Sequence, residues 1–168
     1  MIFKSLTKNF YINLIFIFLI FILDRVSKVY VIYLNEKSYT SEIFSSKFLN
    51  ISLTWNQGIA FGLFSFDQSD LYNFLTIIIF IVIFFIFIML IKNKGFKRYA
   101  LLMIFGGAIG NLFDRIFFKA VPDFIDFHIG QYHWFVFNLA DIFITIGVIF
   151  MILLELIGNN KKNDYEKI

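Results

Sequence analysis

The feature of this sequence that most restricts its fold is a set of long apolar segments that end or break at acidic residues. A helix needs roughly 20 mostly apolar residues to cross the roughly 30 Å hydrocarbon core of a bilayer. Four segments approach this length, and we predict that they span a membrane: residues 10–33, 71–91, 99–118 and 138–158. A soluble domain would lack the polar surface to cover them, because 60% of the 168 residues are apolar and 16% are charged. The sequence therefore predicts an all-α membrane protein with one domain over residues 1–168.

The first apolar segment also resembles a secretory signal peptide, because Lys4 and Lys8 precede it. No cleavage motif of small residues follows, and the segment continues into Asp24, Arg25 and Lys28. We therefore expect it to be retained as the first of four transmembrane helices.

The lysines and arginines predict how these four helices are oriented. Both termini and the middle loop share one side, which would carry Lys4, Lys8, Lys92, Lys94, Lys97, Arg98, Lys161, Lys162 and Lys167. The opposite side would carry Arg25, Lys28, Lys37, Lys47, Arg115 and Lys119. Cytoplasmic loops are enriched in lysine and arginine, so we expect both termini to be cytoplasmic. The net charge of +3 then follows from topology, and no nucleic-acid partner is expected.

The connection between the first two predicted helices contains a segment with strand character. Apolar residues alternate with more polar ones over residues 49–55, which is typical of a strand with one buried face. Aromatic residues of the kind that settle at the headgroup level follow at Phe61, Phe64 and Phe66. We predict a small extracytoplasmic β-cradle over residues 44–66, between helices 1 and 2.

In this topology, acidic residues from separate segments come to one membrane depth. They are Asp24, Asp114, Asp123, Asp126 and Asp141. A charge within the bilayer costs roughly 2.5–3.5 kcal/mol or more, so such residues are rare and are usually functional. The extracytoplasmic ends of the helices are therefore the predicted position of the functional site.

Three of these aspartates have a local explanation that requires no function. Asp24 and Lys28 have i, i+4 spacing on a helix and can form an ion pair. Asp114 has Arg115 as its chain neighbour, although Arg115 could equally neutralise a charge on a neighbouring helix. Asp126 lies in the loop between the third and fourth predicted helices, where we expect water to solvate it.

Asp123 and Asp141 have no basic residue within a helical turn, and both border apolar sequence. Burial of such a carboxyl favours its protonated form. Two facing carboxyls share one proton, so that one acts as a base toward water and the other as an acid toward a carbonyl. This chemistry fits peptide hydrolysis, although transporters and channels also place acids at membrane depth.

Other kinds of catalytic centre lack the residues that they need. The chain has no cysteine, which excludes a disulfide, a thiol nucleophile and a thiolate metal site. His128 and His133 are five residues apart in a polar loop, unlike a helical metal-binding pair, and we expect them at the surface. We expect neither a metal nor a cofactor.

Five short blocks, in order along most of the chain, resemble those of lipoprotein signal peptidase (signal peptidase II). They are Asp-Arg-Val-Ser-Lys at 24–28, Asn-Gln-Gly-Ile-Ala-Phe-Gly at 56–62, Gly-Gly-Ala-Ile-Gly-Asn-Leu-Phe-Asp-Arg at 106–115, Val-Pro-Asp-Phe-Ile-Asp at 121–126 and Phe-Asn-Leu-Ala-Asp at 137–141. Each block alone is a modest signal, whereas the ordered set is specific.

The resemblance implies a four-helix membrane fold with an outer β-cradle and an aspartic endopeptidase. Such an enzyme removes the signal peptide from diacylglyceryl-modified prolipoproteins by cutting just before the lipidated cysteine. Its partners would be these substrates and membrane lipids. We expect a monomer in the bacterial cell (inner) membrane, with its active site toward the extracytoplasmic side.

By position in the blocks, the resemblance implies Asp123 and Asp141 as the catalytic pair. Asp114 is the alternative to Asp123, because its block is the more distinctive. The remaining block residues would line the pocket or support the pair: Asp24, Lys28, Asn56, Asn111, Asp114, Arg115 and Asn138.

The chain departs from the family pattern around the proposed pair. Pro122 replaces a valine, which fixes φ and removes a hydrogen-bond donor just before Asp123. Lys119-Ala120 and Val136 stand where glycine and proline are common, but none of these changes removes a proposed functional side chain. Two alternatives remain open, a proton-linked transporter and a non-catalytic membrane binding protein.

Overall fold

The computed structural model describes residues 2–38, 42–58 and 69–165. The helices are α1 (Ile2–Lys37), α2 (Ser69–Lys92), α3 (Gly95–Phe118) and α4 (Leu139–Tyr165). The strands are β1 (Phe44–Ser45), β2 (Leu49–Asn56), β3 (Val121–Ile129) and β4 (Tyr132–Phe137). The protein is therefore mostly helical, with one small antiparallel sheet.

Three of the described helices are long and apolar enough to cross a membrane. They cover Tyr72–Lys92, Gly95–Phe118 and Leu139–Gly158, which agrees with the second, third and fourth predicted segments. The predicted segment 10–33 lies within α1, which is helical but is not among these three. Many apolar side chains of α2 are exposed, as expected for a helix that faces lipid rather than a protein core.

Helix α3 is the centre of the bundle, and it packs against each of the other three helices. Two of its glycines lie where neighbouring helices come closest. A Cβ atom at Gly107 would lie 2.5 Å from the backbone oxygen of Ala140 on α4, and one at Gly110 would lie 2.6 Å from Oδ2 of Asp24 on α1. Small residues permit such close helix contacts in membranes. The glycine block therefore brings α1 and α4 together on α3.

The sheet is built from both long connections of the chain. Strands β1 and β2 come from the α1–α2 connection, while β3 and β4 form a hairpin between α3 and α4, and the strand order is β1-β2-β3-β4. The prediction of a β-cradle over 44–66 is therefore incomplete. Residues 59–66, with Phe61, Phe64 and Phe66, lie outside the described residues.

The β3–β4 hairpin replaces the loop that we predicted between the third and fourth helices. Residues 121–124 at the start of β3 are all buried, so apolar and polar residues do not alternate there. A strand buried on both faces lacks the period-2 pattern by which strands are recognised.

The pairing between β2 and β3 shifts beside Asp123. Ile51 pairs with Ile125 and Thr54 with Asp123, so two residues of β2 oppose Phe124 alone. This is a β-bulge, which bends and twists the strand locally. Beyond it, the end of β2 brings Asn56 opposite Val121 and thus close to Asp123.

Candidate active site

Asp123 is buried on β3 and is held by two side-chain amides. Asn56 at the end of β2 donates a hydrogen bond from Nδ2 to Asp123 Oδ2 at 2.8 Å. Asn138, the residue before α4, donates from Nδ2 to Asp123 Oδ1 at 2.6 Å. Both donors are themselves buried, so this carboxyl is fixed in position and largely removed from water.

Asp141 lies in the first turn of α4, where it takes part in the helix cap. Its Oδ2 accepts a hydrogen bond from the backbone N–H of Asn138 at 3.1 Å, and the Asn138 side-chain oxygen accepts one from the Asp141 N–H at 3.2 Å. This reciprocal arrangement is a capping box. Asn111 on α3 donates to Oδ1 at 2.8 Å and fixes the other oxygen.

Asn138 joins the two carboxyls, because its side chain binds Asp123 while its backbone binds Asp141. The sheet and the bundle thus each contribute one aspartate, and the residue between β4 and α4 sets their relative position. Neither Asp123 nor Asp141 forms an ion pair with another described residue. The structure therefore brings together the two aspartates for which the sequence offered no local partner.

The environment of Asp123 favours its protonated form. Burial is the larger cause and the charge of nearby Asp141 the second, and together they raise the pKa of Asp123 to about 6 from 3.8. The hydrogen bonds from Asn56 and Asn138 act in the opposite direction, because they stabilise the carboxylate. Two ionised carboxylates this close repel each other, so the pair retains one proton to a higher pH than two distant carboxyls would.

Asp24 and Asp114 belong to a buried network of charges that is joined to Asp141 through Asn111. Lys28, 1% exposed, contacts Asp24 at 2.9 Å and Asp114 at 2.7 Å, and also donates to Asn111 at 2.9 Å. Arg25 donates to Asp114 at 2.6 Å and to Asp24 at 2.8 Å. The prediction of an Asp24–Lys28 pair is confirmed.

The prediction that Asp114 pairs with its neighbour Arg115 is wrong. The cations that bind Asp114 are Arg25 and Lys28, which come from α1. Successive residues on a helix point in different directions and do not face each other. Arg25 was not among the predicted site residues, and no spacing rule identifies it. Only the close packing of α1 on α3 brings it to Asp114.

The Arg115 guanidinium instead donates hydrogen bonds to backbone carbonyl oxygens. Its Nη1 donates to the Asn111 carbonyl at 3.1 Å and its Nη2 donates to the Gly58 carbonyl at 3.0 Å. It thereby links α3 to the chain that follows β2. Arg115 follows Asp114 in the chain and lines one cleft together with Asp123 and Asp141.

Asp126 is buried, and the expectation that water solvates it is wrong. Its Oδ2 contacts Nδ1 of His133 at 2.7 Å, and His133 stacks on His128 across the hairpin with ring centroids 4.9 Å apart. The hairpin creates this partner, because the strand pairing brings residues that are far apart in a loop side by side. His133 is half exposed, as expected for a surface histidine.

The charges of the site nearly balance. The ion-pair network and the two amide-bound aspartates together contain one more carboxylate than cation: Asp24, Asp114, Asp123 and Asp141 against Arg25, Lys28 and Arg115. One proton on the Asp123–Asp141 pair makes the set neutral. A neutral set is strongly favoured in a site with little water, because an unpaired buried charge is costly.

A cleft of about 440 Å³ opens onto these residues. Its polar lining consists of Asn56, Asn111, Arg115, Asp123, Asn138, Asp141 and Thr145. Its apolar lining includes α2 and α4 side chains such as Ile79 and Ile144. A second, apolar cavity of about 570 Å³ lies between the sheet and α4 and also reaches Asp141. In the described part of the chain, no group of three or more histidines and acids is arranged to hold a metal ion.

Fold and site together define a helical membrane protein with a buried pair of carboxyls in a cleft, the arrangement expected of a membrane-embedded aspartic peptidase. A family model described as Signal peptidase (SPase) II matches residues 16–157. The chain belongs to this signal peptidase II family, whose members are peptidases of the aspartic type. The family that the five sequence blocks indicated is confirmed.

Individual relatives are similar to this chain over nearly its whole length. A lipoprotein signal peptidase of Pelagibacter ubique (strain HTCC1062) is 54% identical over 157 residues, which are 94% of this chain and 95% of that protein. One of Anaplasma marginale (strain Florida) is 38% identical, over 92% of this chain and 89% of that protein. A solved bacterial membrane enzyme, determined by the in meso method at 2.3 Å resolution, superposes with a TM-score of 0.71 and 32% identity, covering 89% of this chain and 90% of the other.

Proposed function

We propose that this chain removes the signal peptide from diacylglyceryl-modified prolipoproteins by cutting just before the lipidated cysteine. The observation that carries the proposal is the pair formed by Asp123 and Asp141. Both are held by amide groups, both lack a cation partner among the described residues, and Asn138 binds both. The relatives at 54% and 38% identity carry the name lipoprotein signal peptidase, which supports the same substrate class.

In the proposed reaction, Asp123 is the acid and Asp141 the base. The pKa of Asp123 is raised to about 6, so this carboxyl keeps its proton to a higher pH than an ordinary aspartate, and Asp141 lies at a helix N-terminus, where negative charge is stabilised. Asp141 removes a proton from a water molecule as its oxygen attacks the scissile carbonyl carbon, and Asp123 donates its proton to the carbonyl oxygen. The tetrahedral intermediate collapses as Asp141 protonates the leaving nitrogen and Asp123 recovers a proton from the intermediate's hydroxyl.

We propose that the other polar residues of the cleft hold the pair and the substrate rather than react. Asn56, Asn111 and Asn138 fix the carboxyl oxygens. The network of Asp24, Arg25, Lys28 and Asp114 fixes α1 against α3. This division favours Asp123 over Asp114 as the second catalytic residue, because both oxygens of Asp114 already bind cations.

We propose four transmembrane helices, with α1 as the first. Apolar side chains on the outer surface of α1 are exposed, as on α2, and lipid would cover them: Leu14, Ile15, Phe18, Leu19, Ile22 and Leu23. The distribution of lysine and arginine then favours cytoplasmic termini and an extracytoplasmic active site in the bacterial inner membrane. We also propose a monomer, because a single chain supplies both aspartates and the amides that bind them.

We propose that substrate enters laterally from the bilayer. The apolar cavity beside Asp141, with Phe48, Phe137, Ile142 and Ile146 in its lining, offers a surface for the apolar parts of a lipid-modified substrate. Acyl chains packed there would hold the cleavage site near the membrane boundary without leaving an apolar environment.

The test is cleavage of a diacylglyceryl-modified prolipoprotein by the purified protein. We expect Asp123→Asn and Asp141→Asn each to lower kcat by roughly 10²–10⁴-fold, the usual contribution of a general acid or base, with the fold retained. Asp126→Asn is the matched control, because Asp126 is a buried aspartate on the same strand outside the pair, and we expect it to remain active.

Two results would contradict the assignment. If Asp123→Asn cleaved at the wild-type rate while folded Asp114→Asn did not, Asp114 would be the catalytic residue. If the wild-type protein left the substrate intact but moved protons across proteoliposome membranes, the aspartates would serve transport instead.

A further inference from the structure

Tyr72 on α2 carries a buried hydroxyl that the proposed reaction does not use. The residue is 5% exposed and lies on the buried face of α2 with Leu75, Ile83 and Leu90. Among the described residues, its hydroxyl oxygen has no hydrogen-bond partner. A buried polar group without a partner is unfavourable, because it has lost its hydrogen bonds to water and gained none in return. Such a group in a native protein requires an explanation, and a ligand is one.

Arg115 has an unpaired donor of the same kind. Its Nη1 and Nη2 are fixed by the carbonyl oxygens of Asn111 and Gly58. Its Nε, by contrast, is buried and makes no hydrogen bond to any part of the chain that the structure describes. The guanidinium is thus held in place while one donor remains unused.

The two unused donors belong to one region at the edge of the cleft. Lys119, four residues after Arg115, donates to Asn73, the neighbour of Tyr72, at 3.4 Å, so the two donors lie where the start of α2 meets the end of α3. Arg115 itself lines the cleft. Ile79, which also lines it, lies two helical turns after Tyr72 on the same side of α2, about 10 Å along the helix axis.

We propose that the Tyr72 hydroxyl, together with Arg115 Nε–H, donates a hydrogen bond to a backbone carbonyl oxygen of the bound substrate next to the cleaved bond. The inference rests on the proposed function, because it concerns how the same cleft holds a peptide. Tyr72 is thereby a substrate-binding residue, supplied by a helix that carries none of the predicted site residues.

The charge balance of the site indicates a neutral acceptor. With one proton on the Asp123–Asp141 pair, the carboxylates and cations around Arg115 already cancel. A phosphate or carboxylate at the two donors would add an uncompensated negative charge close to Asp114, Asp123 and Asp141, which is unfavourable in a site with little water. A peptide carbonyl satisfies both donors without adding charge.

The experiment compares Tyr72→Phe with wild type for both stability and substrate binding. Binding is measured as the Kd of the prolipoprotein in the Asp141→Asn background, where no cleavage intervenes. We expect Kd to rise about fivefold, the effect of losing one neutral hydrogen bond of about 1 kcal/mol. We expect Tm in detergent to stay unchanged or to rise, because the variant removes an unpaired buried hydroxyl. Tyr30→Phe, an exposed position on α1, is the control and should change neither quantity.

An unchanged Kd for Tyr72→Phe would overturn the inference. A fall in Tm would also overturn it, because it would show that the hydroxyl already has a partner in the free protein. A double-variant cycle with Arg115→Lys provides a further check, since two donors to one acceptor give effects that do not add. Strict additivity would contradict a shared acceptor. Failure of the wild-type protein to cleave the substrate would instead refute the proposed function itself.

Discussion

At the scale of single residues, the aspartates of this site differ only in their surroundings. Asp114 is fully buried against Arg25 and Lys28, Asp126 contacts His133, and Asp123 and Asp141 are bound by amides. A nearby cation stabilises the ionised form, whereas burial without a cation favours the proton. The same side chain is therefore an ion-pair partner in one position, and in another it is the proton carrier that we propose.

The raised pKa of Asp123 predicts how stability depends on pH. The folded protein binds this proton more tightly than the unfolded chain, so the stabilising contribution of the carboxyl is full below about pH 3.8 and is lost as the pH rises to about 6. A pKa difference of this size corresponds to roughly 2–3 kcal/mol. We expect wild-type Tm in detergent to fall more steeply between pH 4 and pH 7 than that of Asp123→Asn.

The control for this pH series is Glu155→Gln. Glu155 is exposed and pairs with Lys97 at the surface, where an ion pair contributes little. We expect its Tm curve to parallel that of the wild type. Parallel curves for Asp123→Asn and the wild type would show that Asp123 does not carry the buried proton.

At the scale of elements, the site depends on how closely three helices approach one another. Gly107 and Gly110 let α4 and α1 contact the backbone of α3. The backbone N–H of Ala140 on α4 donates to Asp24 Oδ1 on α1 at 3.2 Å, so α1 and α4 also share a direct polar contact. The ion-pair network and the capping box of α4 therefore depend on the same small residues.

Gly110→Ala tests this dependence. The new Cβ would lie 2.6 Å from Asp24 Oδ2, and this carboxylate cannot move freely because Lys28 and Arg25 bind it. Overpacking in a tight contact costs about 1–3 kcal/mol. We expect a corresponding drop in the free energy of unfolding, together with lower peptidase activity, in guanidinium or thermal titrations of the purified variant.

Gly158→Ala is the matched control, because the same change on α4 meets no atom within 4 Å. A helical Gly→Ala change without a contact stabilises by about 0.5–1 kcal/mol. Equal effects of the two variants would mean that the close contact at Gly110 does not support the fold.

At the scale of the whole molecule, the sheet and the site lie at one end of the helices, and the α2–α3 turn lies at the other. We expect the sheet to be extracytoplasmic and the turn cytoplasmic. The chain contains no cysteine, so single cysteines report their positions without background. In intact cells, a membrane-impermeant maleimide should label Lys47→Cys beside β1 and not Lys94→Cys in the turn. Both positions are exposed.

Permeabilised cells provide the control for this labelling, since both cysteines should then react. Labelling of Lys94→Cys in intact cells, with Lys47→Cys protected, would reverse the proposed orientation. It would also move the proposed active site to the cytoplasmic side.

The sequence by itself determined the features that depend on local composition and spacing. Three apolar helices, the Asp24–Lys28 pair and the two aspartates without a local cation follow from hydropathy and helical periodicity, and the ordered blocks indicate the family. Only the tertiary structure decided which distant groups meet. Arg25 reaches Asp114, Asn138 joins Asp123 to Asp141, and the hairpin buries Asp126 against His133. These contacts depend on helix packing and strand register, which bring together residues that are far apart in the chain. The residue types and spacing around each position therefore do not predict them.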